Sequence, residues 1–197
     1  MLLIALAWLF AAAELGYWAL GIFRMYDDQG YVMLTLKQYR EGHALYDDVF
    51  SQYGPAYYLI RDLLYGDARV SHDLTALVSA AHGTLCCALL AFITYVVTRS
   101  YWGSLLVLLI APSRVGDFLN EAGHPQETIC VLVLLATLAV ALPLRAVSRG
   151  VLLGMIVGLV SMMKPNVGVF LAIPAVLYYL LQSPHRWVRS FGVPALK

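Results

Sequence analysis

Charge is what this sequence has least of. Only 13% of its 197 residues are charged, while 61% are apolar. Soluble globular domains carry about 25% charged residues. The deficit, set in long apolar runs, excludes an ordinary soluble domain and points to an integral membrane protein. The net charge of +1 leaves no excess of either sign to recruit nucleic acid or an acidic partner. Cysteine is scarce too: Cys86, Cys87 and Cys130 stand inside apolar runs, in no metal-binding spacing, and read as buried thiols. Internal repeats and low-complexity tails are absent. The start lacks the positive segment of a signal peptide. "AAAE" (Ala11 to Glu14) is therefore not read as a cleavage site, and the apolar run to Phe23 is expected to stay as a helix.

What is present is a series of apolar segments. A spanning helix needs about 20 mostly apolar residues. Leu2 to Phe23 and Leu74 to Val97 qualify, with shorter runs at Tyr101–Pro112, Glu127–Leu144, Val151–Met163 and Val167–Leu181. The expected fold class is all-α: a polytopic membrane protein with about six transmembrane helices plus interfacial helices in the first outer loop. Residues 1–197 form one transmembrane module on this reading. The ending "SPHRWVRSFGVPALK" looks like the start of a further segment, as in a truncated chain. With the N-terminus inside, Arg99, Arg145, Arg149, Arg186, Arg189 and Lys197 face the cytoplasm, and only Arg114 and Lys164 fall in short outer loops. That orientation puts residues 24–73 outside, with "RVGDFLNEAGHPQ" (Arg114 to Gln126) and "KPN" (Lys164 to Asn166).

The long loop has its own order. Val32, Leu36 and Tyr39 share one helical stripe between Gly30 and Glu41, so a helix lying in the membrane interface is expected, stopped by Gly42. Pro55 can open a second helix that Gly66 closes, and Tyr53, Tyr57, Tyr58 and Tyr65 suit headgroup depth. Two acidic pairs flank the first of these helices. Asp27-Asp28 follows the first span, where partial desolvation raises a carboxylate's basicity and suits a general base. Asp47-Asp48 comes later in the same loop. Either pair can equally be a solvated helix or loop end.

The stretch "DDQGYVMLTLKQYREGHALYDDVFSQYGPAYYLI" resembles the first outer loop of the GT-C superfamily of polytopic glycosyltransferases, in its protein-mannosyltransferase-like and aminoarabinose-transferase-like branch (glycosyltransferase family 39-like). The resemblance runs through Asp27-Asp28, Tyr31, Glu41-Gly42, Leu45-Tyr46-Asp47 and Gly54-Pro55, and "GLVSMMKPNVGVF" (Gly158 to Phe170) resembles the later helix pair whose junction carries a lysine. It covers the N-terminal part of such an enzyme. It implies transfer of a sugar from a polyprenyl-phosphate donor to an acceptor hydroxyl at the outer face of a membrane such as the bacterial inner membrane. An Asp acts as general base and the configuration inverts. The family pair is usually Asp-Glu, so the base is Asp28 or, in the neighbouring register, Asp27.

The leaving phosphate needs a cation, and Lys164 is the first choice beside Arg114; the bland reading is a lysine snorkelling at a helix end. Asn120, Glu121 and His124 can orient the acceptor, as can Asp47, Asp48 and Tyr31. No cofactor is implied, although the acids with His124 leave a divalent cation open. The partners expected are the lipid-linked donor, membrane lipid and an acceptor of unknown identity. Glu14 within the first span is either functional or a protonated partner of a neighbouring helix, with His82 the candidate partner. The competing classes are a small transporter or lipid-binding protein without chemistry, and an inactive fragment. Transporters usually show paired repeats with broken helices, which this sequence lacks.

Overall fold

A computed structural model describes residues 2–21, 27–116 and 122–182; within these, nothing is described of the Asp27 and Asp28 side chains. Eight helices occur among them: α1 (Leu2–Gly21), α2 (Asp27–Arg40), α3 (Pro55–Tyr65), α4 (His72–Thr98), α5 (Tyr101–Val115), α6 (Pro125–Ala141), α7 (Ala146–Met163) and α8 (Pro165–Gln182). Three of them, α1, α4 and α7, are long and apolar enough to cross a membrane, and α5, α6 and α8 are apolar but shorter. Large apolar side chains point outward all along these helices, among them Leu3, Trp102, Val151, Phe170 and Leu181. So much outward apolar surface is compatible with a bilayer.

The boundaries follow local chemistry. Ser71 caps α4 by accepting from the Leu74 N–H, and Ser100 caps α5 by accepting from the Gly103 N–H. Pro55 and Pro125 stand at the first turns of α3 and α6, where a missing N–H costs nothing. The α7–α8 junction is a single residue. Pro165 disfavours helical geometry in the residue before it, and Lys164 is extended (φ −151°, ψ 95°). One proline thus converts a continuous apolar run into a helical hairpin with a lysine at its tip.

α4 is the central helix, packing on α1, α5 and α6, while α7 packs on α6 and α8. One core joins α1, α4, α5 and α6 through Leu15, Cys86, Cys87, Leu108 and Val131. The cysteines are free thiols; Cys86 and Cys87 are buried as expected, while Cys130 is only half-buried. The second core lies under the long loop, where Leu36, Tyr57 and Tyr58 meet Ile129, Ile156 and Met163. At the opposite end of the bundle Arg149 donates to the Ala139, Leu142 and Leu144 carbonyls and to Tyr178. It closes the α6–α7 turn as a cation at a helix C-terminus should.

Three expectations are corrected. The loop helix starts at Asp27 rather than Gly30, and its Val32–Leu36 stripe is buried against protein rather than laid into lipid. Tyr53, Tyr57, Tyr58 and Tyr65 are likewise core residues, not a headgroup belt: α3 carries a stripe apolar enough to be covered by the ends of α6 and α7. His82 does not pair with Glu14. Its Nδ1 meets the Val78 carbonyl and its Nε2 lies 3.2 Å from Thr128 Oγ1.

Candidate functional site

The long loop is fastened to one end of the bundle. Gly54 donates its N–H to the Met163 carbonyl at 2.8 Å, at the last turn of α7. The contact is so close that a Cβ on Gly54 would collide with the Met162 carbonyl. Tyr53 is thereby set beside the hairpin tip, with the Lys164 ammonium 5.9 Å from its ring centre. The Tyr53 hydroxyl lies 2.7 Å from His124 Nε2, and the two rings meet edge-on. His124 caps α6, its Nδ1 accepting from the Gln126 N–H. That acceptor role leaves the ring proton on Nε2 in the neutral tautomer, directed at Tyr53. His124 is 7% exposed, so it is a buried residue of the site and not part of a solvated loop.

The start of α2 is tied to the same place. The Tyr31 hydroxyl donates to the Phe50 carbonyl at 2.9 Å and accepts from the Gln52 N–H at 3.0 Å. Asp27 and Asp28 precede Tyr31 by one helical turn. The second acidic pair serves the loop itself: Asp48 accepts from the Ala44 N–H at 2.9 Å and closes a turn, and Asp47 is exposed. Glu121 and Asn120 lie outside the described residues. Among the described residues no group of three His, Cys, Asp or Glu side chains is gathered that could hold a metal ion.

Beneath these residues lies an ion pair. Arg61 on α3 is 1% exposed, and its Nη2 meets Glu127 Oε2 on α6 at 2.6 Å. Arg61 Nε and Nη1 have no hydrogen-bond partner among the described residues. The Tyr57 face lies 5.7 Å from the guanidinium carbon. Burial alone would lower the Arg61 pKa, but Tyr57 and the Glu127 carboxylate outweigh it, so the direction is upward and the guanidinium stays charged. Burial pushes the Tyr57 phenol up as well, which keeps it a hydroxyl donor. The other Glu127 oxygen, Oε1, accepts from the Gly123 N–H at 3.1 Å, as does Ser79 Oγ at 3.0 Å. Tyr57 donates to the Gly123 carbonyl. Gly123 has φ +90°, and a Cβ there would lie 2.8 Å from Thr75 Cγ2. Only glycine suits that backbone and that space.

Arg61 and Glu127 were not among the residues singled out by sequence. A signal existed: Tyr57, Arg61 and Tyr65 recur every four residues, so Arg61 shares the stripe the tyrosines bury. Comparison with protein-family models, curated proteins and solved structures finds no match to this chain.

Proposed function

We propose that this chain is the N-terminal module of a membrane glycosyltransferase that uses a polyprenyl-phosphate-linked sugar. It crosses the membrane about six times, N-terminus in the cytoplasm, with the long loop outside. The observation that carries the reading is the docking of that loop: it collects Tyr53, His124 and Lys164 at one end of the bundle, with the first turn of α2 tied in through Tyr31. An amphiphilic donor needs such a meeting of apolar helices and polar groups.

In the proposed reaction Asp28, or Asp27 in the neighbouring register, takes the proton of an acceptor hydroxyl. The oxygen forms a bond to the anomeric carbon as the bond from that carbon to the lipid phosphate breaks on the opposite face, so the configuration inverts. Lys164 balances the charge growing on the departing phosphate, which is often the largest single catalytic contribution. His124 and Tyr53 form a polar wall that orients the acceptor.

The test is transfer of radiolabelled sugar from a polyprenyl-phosphate donor in vesicles containing the full protein. Asp28→Asn keeps the shape and removes the base, so turnover should fall by about 10²–10⁴-fold while donor binding changes little. Asp27→Asn is the matching measurement for the other register. Turnover near wild type in both variants would remove the base and with it the reading.

A further inference from the structure

A buried ion pair is a costly way to join two helices. Taking both charges out of water offsets their attraction, and an apolar pair of similar volume is often as stable or more so. Arg61–Glu127 therefore calls for a purpose that an apolar pair could not serve. Its geometry supplies one. Glu127 spends one oxygen on Arg61 and the other on the Gly123 N–H. Gly123 is then held from three helices: by Glu127 on α6, by Ser79 on α4 and by Tyr57 on α3. The next residue is His124, whose Nε2 meets Tyr53, and Tyr53 flanks Lys164. A shift of the carboxylate would move the Gly123 peptide and the imidazole behind it.

We infer that Arg61 and Glu127 are positioning residues of the outer-face site: the pair fixes the Gly123 peptide and through it the His124–Tyr53 contact, without touching a ligand. Arg61 orients the Glu127 carboxylate, and Glu127 sets the peptide. The inference rests on the site proposed above for its effect on turnover, but its structural part can be read without any reaction.

The experiment separates stability from positioning. The double variant Arg61→Leu with Glu127→Met is made in the full chain and purified in detergent. Thermal unfolding is followed together with the rate at which diethyl pyrocarbonate modifies His124, read at peptide level by mass spectrometry. The expected result is a melting temperature near wild type with His124 modified at least about tenfold faster, because the peptide has lost one of its three anchors. Where transfer is measurable, turnover should stay low in this stable variant. Wild-type His124 reactivity in a stable double variant would overturn the inference and make the pair merely structural.

Should the double variant not fold, Glu127→Gln and Glu127→Met are compared below their melting temperatures. Both leave Arg61 without its carboxylate, but only Gln keeps an oxygen for the Gly123 N–H. Protection retained in Gln and lost in Met supports the inference, and equal reactivity in the two refutes it. A wild type that transfers no sugar but shows these reactivity differences would sink the glycosyl-transfer reading and leave the positioning intact.

Discussion

At Gly54 the chain runs so close to the end of α7 that a methyl group would meet the Met162 carbonyl. Its backbone is unstrained, with φ −72° and ψ 162°, so space and not conformation demands glycine there. Gly54→Ala should therefore push the loop off the α7–α8 junction. Overpacking of this kind costs about 1–3 kcal/mol. The same displacement parts Tyr53 from Lys164, so on the proposed function the variant should lose sugar transfer beyond its loss of stability. Thermal unfolding and sugar transfer measured on one preparation check both. A variant with wild-type melting and wild-type turnover would show that the close approach does not matter.

Among the elements, α2 and α3 are joined by one side chain. Arg40 ends α2 and clamps the far end of α3: its Nε lies 3.0 Å from Asp62 Oδ1, and its Nη1 donates to the Ala68 carbonyl at 2.6 Å. Its Nη2 donates to the Gly66 carbonyl. Hydrogen bonds to a charged group contribute about 1.5–3 kcal/mol when buried, and less here because the pair is part-exposed. Arg40→Ala should fray the last turn of α3 while the bundle stays folded. Hydrogen exchange should then quicken at residues 62–68 and remain slow in α4; unchanged exchange at 62–68 would mean that the clamp is idle. Both helices were legible in the sequence. Pro55 and Gly66 marked α3, Gly42 marked the end of α2, and the Val32–Leu36 stripe marked the face that is buried. What covers those faces was not legible. A tyrosine stripe looks the same whether lipid headgroups or helix ends lie over it, and Glu127 at the start of an apolar run does not announce a partner 66 residues earlier. Lys164 stood out as one of two cations in the short outer loops and His124 as a polar residue beside the fourth apolar run, and the structure brings both to Tyr53.

For the molecule as a whole, successive apolar helices alternate in direction. The start of α4, the start of α6 and the end of α7 meet under the loop, through Ser79, Gly123 and Met163. On the proposed orientation this end faces outward. His43 is exposed in that loop, so a cysteine there reports its side. With Cys86, Cys87 and Cys130 replaced by alanine, His43→Cys should react with an impermeant maleimide in intact cells. Reaction only after lysis would invert the topology and put the site on the other face.

The Arg61–Glu127 pair also has a consequence for biosynthesis. Its partners are 66 residues apart. At about 5–20 residues per second, Arg61 is made roughly 3–13 s before Glu127 exists. During that time α3 carries a charge with no carboxylate to meet it, and burying the helix would be prohibitive. On the proposed topology the loop then waits at the water boundary while α4 and α5 are inserted. It can settle only once α6 delivers Glu127, which makes the arrival of α6 the event that completes this end of the bundle.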